Sequence, residues 1–385
     1  MCFERSLFMK RLITILLLCM AAACLFALGS RKPAQPLPFG QVQYIEGTVT
    51  ATRDGKKPAA LDIGDSLYAD DLVTTSEKGT VIIELNKSTN ISGTITVEPR
   101  TALYLSMVTT KNGPQTSIEL LSGTVSAKVK KLVGLKTGQR PSMSVRTSSV
   151  VAGVRGTEFD VSTSVNDSTL VICSDGAVSC SDGTDSLPVA AGKALEKRPD
   201  ERFNYLSMGL TPLKEFRKTW NTGEIETFRS NPTRALGYYE GKYDELSGRF
   251  KKSFSELSGS AVLKKWIAEH GRGVVPNPRD PSVMREKKEL ISQIFAIRKI
   301  LFNYERIYYR MQEVQSLVEG TELENKELKP GMTAGNFIRR MRGESAGLAG
   351  RIAFCRFAEK LYAEREEGGI GLFDEDSGIS ENFSD

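Results

Sequence analysis

A glycine followed by a small or β-branched residue, and then by alternating apolar positions, recurs through the first half of the chain. It appears as Gly47-Thr48-Val49, Gly79-Thr80-Val81, Gly93-Thr94-Ile95, Gly123-Thr124-Val125, Gly156-Thr157-Glu158-Phe159 and Gly176-Ala177-Val178. Each reads as a turn glycine launching a strand of period two. The uneven spacing excludes a strict solenoid repeat. Many short strands with turn signals every dozen or so residues predict an all-β sandwich or roll. Between about Phe203 and Gly368 the apolar spacing changes to three and four. The expected architecture is therefore β then α: an all-β sandwich or roll over residues 41–195, then an antiparallel helical bundle over 205–368.

In the second half, Thr211-Pro212 marks a helix start, a capping hydroxyl followed by proline in the first turn, and Asn231-Pro232 ends that helix. Leu236, Tyr239, Tyr243, Leu246, Phe250, Phe254 and Leu257 then fall on one stripe. Asp280 caps and Pro281 opens the longest helix, with Leu290, Ile294, Ile297, Leu301, Tyr304, Tyr308 and Met311 on its apolar side. Ile291, Ile300, Ile307 and Val314 widen that stripe, which suits a bundle better than a two-stranded seam. Gly320 and the capping box Thr321–Glu324 predict a helix restart ended by Lys329-Pro330-Gly331. Phe337, Ile338, Met341, Leu348, Ile352, Cys355 and Leu361 supply the last one or two helices, for about four to six in all. The acidic end, 369–385, has the composition of a disordered tail.

At the other end, Met9-Lys10-Arg11 precedes an apolar run from Leu12 and then small residues up to Ala27-Leu28-Gly29-Ser30. That is the pattern of a secretory signal peptide over residues 1–29, with Met9 as an alternative start to Met1. Three outcomes fit it: cleavage after Gly29, lipidation at Cys24 behind Ala21-Ala22-Ala23, or retention as a signal anchor. All three place the remaining chain outside the cytoplasm, periplasmic or secreted, and two of them attach it to a membrane.

A net charge of +5 over 385 residues is too mild an excess to indicate nucleic acid. Chemistry has little to work with. The one histidine, His270, stands beside Gly271 at a helix end, where its ordinary role is a charge on the helix C-terminus. Every nucleophile–histidine arrangement would depend on it. No spacing singles out a carboxylate pair, no glycine-rich loop joins a strand to a helix, and no Cys/His set has metal spacing. Neither enzymatic activity nor a cofactor or metal is expected. Among the six cysteines, Cys173 and Cys180 flank the turn Asp175-Gly176. A regular hairpin sets them diagonally, roughly 7–8 Å apart, so buried thiols are expected rather than a disulfide.

Arg155, Gly156, Thr157, Glu158 and Phe159 resemble the signature of the FecR domain, an extracytoplasmic all-β module. The likeness extends upstream through Val42, Gly47, Val49 and Arg53, then Leu61, Gly64, Asp65, Leu67, Asp71, Val73, Thr74, Gly79, Val81 and Ile83. It continues through Val97, Pro99, Thr101, Leu103 and Leu105, through Leu120, Gly123, Val125 and Val129, and through Thr169, Val171, Gly176 and Val178. One departure is Asn86-Lys87-Ser88-Thr89, which lacks the usual turn glycine. The resemblance implies a domain that binds a partner in the cell envelope. Regulatory members also control a sigma factor through a cytoplasmic N-terminal segment. At most eleven residues precede the apolar stretch here, so only the binding role is carried over. The competing expectation is a structural scaffold associated with peptidoglycan or another wall polysaccharide. A third is a hydrolase with carboxylates in a groove between the two halves. The helical half is expected to supply a second contact or to oligomerise.

Two sets of residues are candidate binding groups. In one, Arg155, Glu158 and Asp160 present a charged turn to a partner, with Gly153 and Gly156 shaping it. The bland alternative is that Arg155 pins the turn structurally while the two glycines take conformations barred to other residues, and the family's diverse partners favour this. The other is the basic run Lys128, Lys130, Lys131, Lys136, Arg140 and Arg146, either a solvated or protected sheet edge or an attractor for anionic lipid or wall polymer.

Overall fold

The computed structural model describes residues 38–366, apart from 90, 111–112, 131–142, 155 and 209–210. The signal stretch with Cys24, Arg155, the run from Lys131 through Arg140 and the acidic tail lie outside the described residues.

The strands are β1 (Gly40–Glu46), β2 (Val49–Thr52), β3 (Ala59–Ala60), β4 (Ser66–Leu67), β5 (Leu72–Thr75), β6 (Thr80–Leu85), β7 (Gly93–Val97), β8 (Ala102–Thr110) and β9 (Gly113–Ser122). They continue as β10 (Thr124–Val129), β11 (Met143–Arg146), β12 (Val151–Val154), β13 (Glu158–Thr163), β14 (Thr169–Asp175), β15 (Ala177–Ser181), β16 (Ser186–Ala190), β17 (Lys193–Lys197) and β18 (Asn204–Leu206). Among the described residues they form two nine-stranded sheets, ordered β18-β17-β14-β13-β10-β7-β6-β1-β4 and β16-β15-β12-β11-β9-β8-β5-β2-β3. Pairing is antiparallel except between β9 and β11. Val42, Ile83, Ile95, Val125 and Phe159 of the first sheet meet Val73, Leu103, Ile118, Val145 and Val178 of the second in one core. This is the sandwich that the period-two alternation predicts, each buried side chain contributing about 1.5–3 kcal/mol.

The chain changes sheet between β12 and β13 and again between β14 and β15. Gly156 makes the first corner at φ 67° and Gly176 the second at φ 80°, a region L side chains rarely enter. The corners rest on each other: a β-carbon on Gly176 would lie 2.8 Å from Thr157 Cγ2 and 3.0 Å from the Gly156 carbonyl oxygen. Two expectations change here. Gly153 is no turn residue but an interior position of β12, opposite Ser144 and Ser179. Asp175-Gly176 is no hairpin turn either, so Cys173 and Cys180 belong to facing sheets; both are buried free thiols. Where the family's turn glycine is missing, Asn86 Oδ1 accepts from Ser88 N at 3.1 Å and Thr89 Oγ1 donates to the Asn86 carbonyl at 2.7 Å. A side-chain-bonded turn does the work there.

The helices are α1 (Leu213–Ser230), α2 (Pro232–Gly259), α3 (Ala261–Gly271), α4 (Pro281–Val318) and α5 (Ala334–Ala363), with a hairpin of β19 (Glu327–Lys329) and β20 (Met332–Thr333) before the last. Thr211 does not cap α1; Pro212 occupies the cap position without a side-chain bond. Asp280 does cap α4, its Oδ1 accepting from Ser282 N at 2.8 Å. The restart expected at Gly320 is a single 3-10 turn, Glu322–Asn325, that runs into the hairpin, because Lys329-Pro330-Gly331 forms a tight β-turn between paired strands. Both long stripes are buried as expected, except that Phe254 is only partly covered and Ile291 is exposed. Lys287–Glu366, Arg298–Glu359, Glu305–Arg356 and Glu319–Arg342 show α4 and α5 running antiparallel.

Candidate functional site

Strand register lines up the outward side chains of the first sheet in rows. One row crosses β1, β6, β7, β10 and β13 as Gln41, Glu84, Thr94, Lys128 and Glu158. Its neighbour runs Tyr44, Ile82, Thr96, Ser126 and Asp160. The first row is open. Lys128 Nζ lies 3.0 Å from Glu158 Oε2 with the two side chains 70% and 46% exposed, and Gln43 Nε2 donates to Glu84 Oε2 at 2.8 Å. The second row is closed at one end by α1. Arg217 reaches Asp160 Oδ2 at 2.7 Å, Ser126 Oγ at 3.0 Å and Glu98 Oε1 at 3.0 Å. Burial pushes the Asp160 carboxyl up, and the Arg217 guanidinium pulls it part of the way back.

The charged turn expected from the sequence is therefore split. Glu158 faces solvent beside Lys128, whereas Asp160 anchors a helix. Lys130 is exposed at the end of β10. Arg155 and Lys131 fall outside the described residues. Pairing with Glu158 neutralises Lys128, which weakens its attraction for an anionic polymer.

Helices take up part of the remaining outer faces. Leu213, Phe216 and Trp220 of α1 cover Leu170, Ile172 and Ala194 on β14 and β17, and Trp220 Nε1 donates to Glu196 Oε1 at 2.6 Å. Phe302 and Tyr309 of α4 cover Leu72, Ala102, Tyr104 and Leu121 on the second sheet. Between α4, α5 and the second sheet lies a buried ionic group that the sequence reading missed. Arg356 of α5 donates to Glu305 of α4 through Nε at 2.9 Å and to Glu119 of β9 through Nη2 at 3.2 Å. Its guanidinium stacks 4.5 Å over the Tyr104 ring, whose hydroxyl donates to Glu305 Oε1 at 3.0 Å. Glu119 and Glu305 are both 0% exposed. Burial raises both carboxyls, with Arg356 opposing. Glu359, one turn along α5, is pushed up by burial to about 7.

A third contact brings the β13–β14 turn into the helices. Val165 is 2% exposed within the helical core. Its carbonyl accepts from Tyr239 Oη at 2.9 Å, Ser164 Oγ and Asn166 Nδ2 donate to Glu224 Oε2, and Asp167 pairs with Arg306. At the far side, Lys360 holds Asp54 at 2.7 Å, and His270 sits 3.6 Å from Asp54 and 3.7 Å from Glu364. His270 thus ends α3 as expected while facing the β half as well. Among the described residues, no cluster of His, Cys, Asp and Glu could hold a metal ion, and no helix is long and apolar enough to cross a membrane.

Residues 71–179 match the family model of the FecR protein. The chain carries a FecR domain. It includes both crossover corners and the Lys128–Glu158 end of the open row. A search of curated proteins finds no match. Two crystal structures of a protein assigned as an anti-sigma factor from Parabacteroides distasonis align with 35% of this chain, at 12% and 14% identity and TM-scores of 0.29 and 0.22. The aligned part spans 59% and 54% of those chains. Likenesses of that size bear on neither fold nor function.

Proposed function

We propose that this is a non-catalytic extracytoplasmic protein whose FecR domain docks a partner protein of the cell envelope on the open face of the first sheet. The observation that carries this reading is the Gln41–Glu84–Thr94–Lys128–Glu158 row. It is a polar face of mixed charge, left uncovered while α1 and α4 seal patches of the outward surface elsewhere on the sandwich. A face of alternating donors, acceptors and both charge signs suits a protein surface better than a uniformly anionic polymer, because complementarity of position rather than net attraction would set its specificity. The signal-peptide pattern supports an envelope location. The buried carboxylates serve as ion-pair partners for arginines, which supports a binding rather than a hydrolytic role.

A photoreactive residue placed at Thr94 in the full chain, expressed in its own host, tests this. The expected result is a discrete cross-linked protein band, absent when the same residue stands at exposed Lys193 on the far side of the sheet. Equal background at both positions overturns the docking face. Sedimentation with purified peptidoglycan, lost in Lys128→Glu, would replace the partner protein by wall polymer.

A further inference from the structure

The first half of α4 leaves an apolar stripe uncovered. Met284, Lys288, Ile291 and Phe295 are exposed and recur at steps of four, three and four, which puts them on one face roughly 17 Å long. Arg285 is exposed beside them, and Arg298 lies 5.9 Å over the Phe295 ring. The face is thus apolar with a basic border. The end of α5 arrives alongside it: Glu366 Oε1 lies 3.8 Å from Lys287 Nζ, and that ammonium sits 5.4 Å over the Tyr362 ring.

We propose that residues 367–385 of the same chain lie on this α4 face, their apolar side chains on Met284, Ile291 and Phe295 and their carboxylates against Lys288 and Arg285. Three observations favour this occupant over a foreign one. The segment starts at the edge of the stripe, since Glu366 is already in contact with the preceding turn of the helix face. Gly368-Gly369, directly after its first residue Glu367, let the chain reverse direction, and its nineteen residues reach roughly 60 Å when extended, ample for the stripe. Its composition is complementary: Ile370, Leu372 and Phe373 are followed by Asp374, Glu375 and Asp376, and the whole segment holds six carboxylate side chains and no Lys or Arg. The apolar trio would cover the exposed side chains, and the acidic trio would meet the basic border.

Zero-length carbodiimide cross-linking of the purified full chain, read by mass spectrometry, tests the proposal. The expected product is a monomer in which Lys288 is joined to Asp374, Glu375 or Asp376, falling at least fivefold at 0.5 M salt. Arg285→Glu with Lys288→Glu should lose it. Adding Asp374→Lys, Glu375→Lys and Asp376→Lys should restore a link of reversed polarity, and circular dichroism checks that every variant is folded. Absence of the link in the wild-type monomer overturns the proposal. So does a link found only in the dimer band, which would put the tail of a second copy on the stripe. Failure of the charge swap to restore it overturns the electrostatic part.

Discussion

Arg356 on the last helix and Glu119 on the ninth strand stand 237 residues apart in sequence and meet at 3.2 Å, fully enclosed between the two halves of the chain. Removing one member of such a buried set leaves the others poorly compensated. Arg356→Met leaves Glu305 without its cation and Glu119 with Arg146 at 4.0 Å, and should cost about 3–5 kcal/mol. Adding Glu119→Gln and Glu305→Gln should recover most of that loss, measured by urea unfolding with near-ultraviolet and far-ultraviolet signals in parallel.

Glu359 makes the stability depend on pH. Its carboxyl rises from an ordinary 4.5 to about 7 through burial, so the folded chain holds this proton more tightly than the unfolded chain does. The stabilisation is complete below pH 4.5 and drains away as pH climbs through 7, a swing on the order of 3 kcal/mol. Glu359→Gln should flatten the fall of the urea midpoint between pH 5 and pH 8 and should match or exceed wild type at the upper end. An unchanged slope would remove Glu359 as its source.

Arg217 fastens α1 to the first sheet through Asp160, Ser126 and Glu98. Arg217→Ala should cost about 1.5–3 kcal/mol, since Asp160 is largely buried and left without its cation. Hydrogen exchange should quicken over Leu213–Ser230 while the core strands β10 and β13 keep their protection. The double variant with Asp160→Asn should cost less than the two single changes added together.

Gly176 tests the packing of one sheet-crossing corner on the other. Gly176→Ala puts a methyl 2.8 Å from Thr157 Cγ2 at a φ of 80°, combining a clash with backbone strain. A loss above about 2 kcal/mol is expected. Gly153→Ala sits in an extended strand instead, so its backbone adds no such strain.

Cys180 should stay inert to alkylation in the native state, because burial lifts its thiol to about 12. Cys173 and Cys355 are buried as well, with thiols also raised. Iodoacetamide labelling at all three positions should appear only at the urea concentration that unfolds the chain, and earlier labelling of Cys355 alone would show α5 opening by itself.

The switch of period between the halves, and the inward side chains of most strands, were legible because alternation reports which residues face a core. Alternation is silent when both faces are covered. Ile118–Leu121 is unbroken by any turn residue and holds Glu119 inside an apolar run, while Ala102–Leu105 and Leu170–Cys173 are apolar throughout. Such runs are the mark of two-sided burial, and they lie where α4, α5 and α1 dock. The signal for the buried charges was there too, in Tyr304-Glu305-Arg306-Ile307, where charges interrupt an apolar helix stripe. Which arginine meets which carboxylate could not be read, since that depends on helix placement across more than two hundred residues. The Gly153–Gly156 bracket misled for a local reason: both are glycines, but only the second needs a left-handed backbone.

The β13–β14 turn, with Val165 seated in the helical core and Ser164, Asn166 and Asp167 tied to Glu224 and Arg306, governs how the molecule bears load. Tension applied through α2 or α4 enters the sandwich at the third and fourth strands of its first sheet and is shared by the strands on either side. The short connection between Leu206 and Leu213 is bypassed. A tug on the helices would therefore be felt across β10 and β13, the strands that carry Lys128 and Glu158, and the chain is built to act as a single lever and not as two beads on a string.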